Sequence, residues 1–341
     1  MEILAVLTRK SSRIACSKFL IPSILISMFA FGCLFPHQPI QTFQRFEVYG
    51  EFGSGNAQFN FPMGIALRKI SDSIGIRTYI ADYANNRISV WGWENGRKFI
   101  ESIGDSGNGL GQFNRPKDLT LTQTVLGITP FVPRDNMYIY VTDSKNHRIQ
   151  KLDLMGVPVL AWGSFGNGPG QFDTPSGIDI DFEGNIYVVD SGNHRIQVFD
   201  TLGNFLRTWG KFGNSDGEFQ NPIDVAVGFK LREPTSFDFV AVSDNGNNRV
   251  QVFDRFGQLK RIYNNIPAVL GIDVVYITTT STRQILAISG SSKLLYLLSD
   301  DVSRVSTEHI SETMSPYDVA GYEITDVGSH KVFIYGWKPG D

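Results

Sequence analysis

Gly163-Ser164-Phe165-Gly166-Asn167-Gly168-Pro169-Gly170-Gln171-Phe172 opens the unit that decides the fold. Behind it follow Pro175-Ser176-Gly177-Ile178, then Asn185-Ile186-Tyr187-Val188-Val189-Asp190, then Asn193-His194-Arg195-Ile196-Gln197-Val198-Phe199-Asp200, and finally Phe205-Leu206-Arg207-Thr208-Trp209-Gly210. Each apolar stretch is short and alternates with polar residues, and each is bounded by Gly, Asn, Asp or Pro. Such a pattern predicts four strands per unit.

The unit recurs with Gln58-Phe59 and Asn86-Arg87, with Gln112-Phe113 and His147-Arg148, and with Glu218-Phe219 and Asn248-Arg249. Two worn copies follow, one from Gly271-Ile272 to Leu294-Leu295-Tyr296 and one from Pro316-Tyr317-Asp318 to His330-Lys331-Val332. The second strands end at Asp82, Asp143, Asp190, Asp244, Ser289 and Asp326, with spacings of 61, 47, 54, 45 and 37 residues. Most of that variation falls between the first and second strands. Phe46-Glu47-Val48-Tyr49-Gly50 matches a fourth strand, while the last copy stops after a third strand at Tyr335. The expected fold is therefore all-β, a six-bladed β-propeller of four-stranded antiparallel blades closed by an N-terminal strand completing the last blade. Closure hides the strand edges that an open array would expose.

These residues resemble NHL repeats, with Asn146-His147-Arg148 and Asn193-His194-Arg195 standing where the family signature reads Asn-His-Leu. The resemblance covers about residues 44–336, four copies strongly and two weakly. It implies a propeller but not an activity, since similar propellers serve as sensor, adhesion, RNA-binding and enzyme domains.

Each strong copy places an acid five residues before a base: Asp82 and Arg87, Asp143 and Arg148, Asp190 and Arg195, Asp244 and Arg249. The last copy keeps Asp326 and Lys331, and the fifth loses both members to Ser289 and Leu294. Joint retention and joint loss predict that the two side chains meet across the turn, because a lone buried charge is costly. His147, His194 and His330 share the slot beside that base. Residues in equivalent slots of different blades are spread around a rim, whereas a zinc ion needs its nitrogens within about 2.1 Å of one point.

Gly64, Asp118, Gly177, Asp224, Gly271 and Asp318 hold one position near the start of the first strand. If that position is the channel mouth, Asp118, Asp224 and Asp318 form a threefold carboxylate set able to offer oxygen to a hard cation such as Ca²⁺. The simpler reading is Asp as a turn-compatible substitute for Gly. No cofactor is expected beyond that candidate ion. The insertion at 121–136 carries Val125, Leu126, Ile128, Phe131 and Val132, more apolar than a solvated loop requires. With 68–77, 229–238 and 277–284, it joins first to second strands at one end of the ring. Such insertions serve either as a contact surface or as longer hairpins.

The N-terminus reads differently. Arg9, Lys10, Arg13 and Lys18 precede the uncharged stretch 19–36. Residues 1–36 therefore read as a signal peptide, lipoprotein signal or membrane anchor, with 37–43 a short tether and 44–341 the propeller. Ala30 and Gly32 suit peptidase cleavage, Cys33 suits lipid attachment, and 18 uncharged residues approach the ~20 that span a bilayer. Cys16 and Cys33 are the only cysteines, so the propeller closes without a disulfide. Formal net charge is −3; without residues 1–32, which carry four basic and one acidic residue, it is −6. An acidic exported domain is a poor nucleic-acid partner.

Function is thus expected to be that of an extracytoplasmic, membrane-tethered or secreted binding or scaffold module for a protein, peptide or glycan. The alternative is a metal-dependent propeller lyase or hydrolase acting at the channel. No His, Glu or Tyr cluster outside the repeat matches such an enzyme site, so no catalytic residue is assigned.

Overall fold

The structure is a computed structural model that describes residues 42–71, 75–93, 97–122, 137–181, 183–228, 239–277, 282–298, 305–309, 316–320, 323–326 and 331–338. Residues 1–41, including Cys33, and insertion residues Val125, Leu126, Ile128, Phe131 and Val132 lie outside them. The side chain of Asp318 and the whole of His330 also lie outside the description.

Phe43–Lys338 forms one compact unit. Blade 1 comprises Pro62–Ser71, Gly75–Asp82, Arg87–Trp93 and Arg97–Ile103, and blade 2 comprises Pro116–Leu121, Tyr138–Asp143, Arg148–Asp153 and Pro158–Trp162. Blade 3 comprises Pro175–Ile180, Ile186–Asp190, Arg195–Phe199 and Phe205–Trp209. Blade 4 holds Pro222–Gly228, Phe239–Asp244, Arg249–Asp254 and Leu259–Asn264, and blade 5 holds Val269–Ile277, Thr282–Ser289, Leu294–Leu298 and Val305–His309. A further four-stranded sheet orders Pro316–Ala320, Glu323–Asp326, Lys331–Lys338 and Thr42–Tyr49. The expectation of six blades is corrected to this extent: five blades are self-contained, each made of four consecutive strands. The remaining sheet is a composite that borrows Thr42–Tyr49 from the other end of the unit. The innermost strands nevertheless form a closed circle, since Pro316–Ala320 packs against both Val269–Ile277 and Pro62–Ser71.

Register repeats from sheet to sheet. Pro62 pairs with Asp82, Pro116 with Asp143, Pro175 with Asp190, Pro222 with Asp244, Val269 with Ser289 and Pro316 with Asp326. After each of those pairs the inner strand bulges, and the ladder resumes three residues on. A bulge re-aims its residue. Here it carries the alternating Gly and Asp position, from Gly64 through Asp224 to Gly271.

The apolar residues of neighbouring blades meet between the sheets, so the core is a set of inter-blade layers. Tyr140 and Ile149 of blade 2 pack with Ile178, Ile186, Val188 and Phe199 of blade 3, and Tyr187 and Val198 of blade 3 pack with Val225, Val240 and Phe253 of blade 4. Phe59, Phe113, Phe172 and Phe219 end the blade-to-blade loops and are fully buried in these layers. Burying one such ring stabilises by about 1.5–3 kcal/mol. Each presses on the glycine that opens its loop: a Cβ on Gly163 or Gly210 would come within 2.7 or 2.5 Å of the Phe172 or Phe219 ring. Of the first-to-second-strand insertions, 68–77 and 277–284 prove to be extended hairpins, with Arg68 opposite Arg77 and Ile277 opposite Thr282.

Candidate functional site

Three repeated constellations carry the polar chemistry, beginning with the acid–base pair. Arg87, Arg148, Arg195 and Arg249 place Nε 2.9, 2.8, 2.7 and 2.7 Å from Oδ2 of Asp82, Asp143, Asp190 and Asp244. The four carboxylates are wholly shielded from water. In blade 3, Asp190 also accepts from the Asp173 amide, Asn193 Nδ2 and Gln197 Nε2. Arg195 reaches outward and donates to the carbonyls of Asn167, Gly168 and Gln171. The pair is thus a clamp on the incoming blade-to-blade loop. Burial pushes the carboxyls of Asp82 and Asp190 up, against the hydrogen bonds and the guanidinium that hold them down.

The histidine slot is the second constellation. Asn86, His147, His194 and Asn248 all adopt left-handed backbone conformations, with φ of 51–55°. Asn86 and Asn248 accept through Oδ1 from the amides of Arg115 and Ala268, and His147 and His194 accept through Nδ1 from those of Thr174 and Asn221. The two imidazoles therefore tie one blade to the next. They also meet the exposed rings of Phe165 and Phe212, with centroids 4.9 and 5.0 Å apart.

The third constellation lies at the axis. Gly64, Lys117, Asp118, Gly177, Asp224 and Gly271, from five successive blades, line one small pocket. Asp118 and Asp224 therefore line one pocket together. Their oxygens already have donors: Asp118 accepts from the amides of Leu119 and Ile178, and Asp224 from those of Val225 and Ile272. Each carboxylate bonds its own strand and the next blade. Asp179 repeats the arrangement two residues further along its strand, accepting from Ile180, from Val227 of the next blade, and from Thr120 Oγ1 of the previous one. A chain of carboxylates thus joins blades 2, 3, 4 and 5.

The Gly positions follow from this packing, because a Cβ on Gly64 or Gly177 would come 2.3 or 2.5 Å from Oδ1 of Asp118 or Asp224. Burial, reinforced by mutual repulsion, raises all three acids: Asp118 and Asp179 to about 7, and Asp224 well above its ordinary range. Lys117 is lowered by burial to about 8, against the pull of Asp118 and Asp224. Among the described residues no group of three or more His, Cys, Asp or Glu side chains could hold a metal ion.

Sequence reasoning missed Asp179 and the clamp's asparagine and glutamine. Asp179 and Asp273 are acids where Ala66, Thr120 and Ala226 stand in the equivalent place, a mark that could have led to Asp179. Gln150, Gln197 and Gln251 recur two residues after the clamp arginine, a regularity that leads to them.

Comparison with known proteins follows the fold. An NHL repeat profile matches residues 172–199. No curated relative matches the chain in sequence. Among solved structures, a catalytically inactive virginiamycin B lyase from Staphylococcus aureus with quinupristin is similar at TM-score 0.54 and 15% identity, covering 88% of this chain and 89% of that one. A chain of a nidogen/laminin complex is similar at TM-score 0.56 and 15% identity, covering 77% and 85%. A chain of a BBS1–ARL6 complex is similar at 0.52 and 11%, covering 86% and 96%. At such identities the likeness is one of fold. The chain is a β-propeller in which residues 172–199 match an NHL repeat.

Proposed function

We propose that this propeller is a binding module, placed outside the cytoplasm by residues 1–36, that holds a protein, peptide or glycan on its blade-to-blade loops. The observation that carries this reading is the recurrence of Phe52, Phe165 and Phe212 at one loop position with 64–67% of their surface exposed. The fold buries a different phenylalanine of the same loop, so these rings are not needed for the core. Exposed aromatic rings beside imidazoles supply the flat, partly polar surface that peptides and sugars use. Two of the similar folds come from protein–protein complexes, which agrees with the reading. The full chain in detergent, presented to a glycan array and a displayed peptide library, should give saturable binding that falls at least tenfold in Phe165→Ser/Phe212→Ser. Equal binding by a folded double variant would overturn it.

A second reading, a metal-dependent enzyme using the channel, rests only on Asp118 and Asp224 lining one pocket, and their oxygens already accept from backbone amides. Metal analysis of the purified chain decides it. Stoichiometric Ca²⁺ or Zn²⁺ that disappears in Asp118→Ala/Asp224→Ala supports the enzyme; metal-free protein supports the binding module.

A further inference from the structure

The turns joining third to fourth strands repeat as closely as the clamps do. Asp153 Oδ1 accepts from the amides of Met155 and Val157, Asp200 Oδ1 from those of Leu202 and Asn204, and Asp254 Oδ1 from those of Phe256 and Gln258. Gly156, Gly203 and Gly257 then take φ of 80–87°. A Cβ at these glycines would come within 2.7–2.9 Å of Ile103, Trp162 and Trp209 of the preceding blade. Aspartate and glycine therefore account for the turn and its packing. The residue between them does neither, yet in three successive blades it is large and apolar: Met155, Leu202 and Phe256, 67–71% exposed. A solvated turn tip needs no such side chain.

Topology fixes what else is at this end of the ring. Fourth strands run from these turns to the blade-to-blade loops. Thr42–Tyr49 is the outermost strand of the composite sheet and runs into the first such loop at Gly50, so it starts at the end where Met155, Leu202 and Phe256 stand. The chain before residue 42 reaches the ring there. Only residues 37–41 separate that strand from the uncharged stretch 19–36, and five extended residues span at most about 18 Å. Arg207 and Arg255 flank the Phe256 ring at 5.9 and 5.0 Å, with Arg255 also paired to Glu183.

We infer that the turn tips Met155, Leu202 and Phe256 dock on a lipid bilayer, so that the propeller rests on the membrane by this end and turns its phenylalanine-bearing loops away. The inference rests on the membrane attachment proposed for residues 1–36. The full chain, carrying an environment-sensitive fluorescent amino acid at position 155, 202 or 256, is reconstituted in phosphatidylcholine–phosphatidylglycerol vesicles containing nitroxide-labelled lipid. Emission should shift to the blue and be quenched at all three positions, while the same fluorophore at position 165 stays unquenched. A chain that floats with the vesicles but is not quenched at position 202 overturns this inference and leaves the attachment intact. A chain that does not float with them overturns both.

Discussion

Blades 3 and 5 solve the same turn in opposite ways. In blade 3 a buried carboxylate, Asp190, and a guanidinium, Arg195, face each other at 2.7 Å. In blade 5 the equivalent Ser289 hydroxyl donates to the Pro267 carbonyl and accepts from the Ser292 amide and hydroxyl, and Leu294 stands where the arginine would be. Register is unchanged, Pro175 facing Asp190 as Val269 faces Ser289. The ion pair is therefore not what folds a blade. The difference lies in the preceding connection: Trp209 to Pro222 and Trp162 to Pro175 are long loops, whereas Asn264 reaches Val269 across four residues. Without a long loop the arginine has no carbonyls to hold, and without the arginine a buried aspartate would be an uncompensated charge. That explains why both members vanish together.

The largest expected effect comes from splitting the pair. Arg195→Ala leaves Asp190 buried without its cation and should cost about 3–5 kcal/mol. Urea denaturation measures the loss. Asp190→Ser/Arg195→Leu copies blade 5 and should recover at least about 1 kcal/mol of it, because no unpaired charge remains. A double variant less stable than the single would break the comparison.

A second effect sharpens the contrast between clamp and axis. Lys117 lies beside Asp118 and Asp224, but among the described residues no cation is hydrogen-bonded to Asp118, Asp179 or Asp224 as Arg195 is to Asp190, and their folded pKa values are raised. Between about pH 4 and 7 the folded chain therefore binds more protons than the unfolded one, and stability falls as pH rises through that window. Asp82 and Asp190 act in the same direction. Melting temperature should rise on acidification from pH 7 to 5, and Asp179→Asn should flatten the slope by on the order of 1 kcal/mol per pH unit. An unchanged slope would show that these acids are ionised in the folded chain.

The smallest effect tests the histidine slot. His147→Ala removes the acceptor for Thr174 and should cost about 1 kcal/mol. His147→Asn copies Asn86 and Asn248, which accept the same bond, and should be neutral within about 0.5 kcal/mol. Thermal unfolding separates the two; equal losses would mean that the imidazole does more than accept.

Much of this was legible in the chain because repetition exposes it. The second-strand ends were found by alignment, and the pairings of Asp82, Asp143, Asp190, Asp244, Ser289 and Asp326 place them in one register. The acid–base contact followed from joint loss in one copy. The alternation of Gly64, Asp118, Gly177 and Asp224 was visible as a pattern, but its cause was not. It requires knowing that Asp118 lies against the Gly64 Cα and bonds the Ile178 amide, 60 residues further on. Asp179, equally important at the axis, stands out only when it is compared with Ala66, Thr120 and Ala226 at the equivalent position.

By itself the sequence determined what is periodic: the strands, their turns and the clamp pair, because each follows from residue type at short spacing. Tertiary structure decided what is circular. Which carboxylate bonds which neighbour, and which exposed rings share an end of the ring, depend on residues far apart in the chain, and no local spacing encodes those contacts.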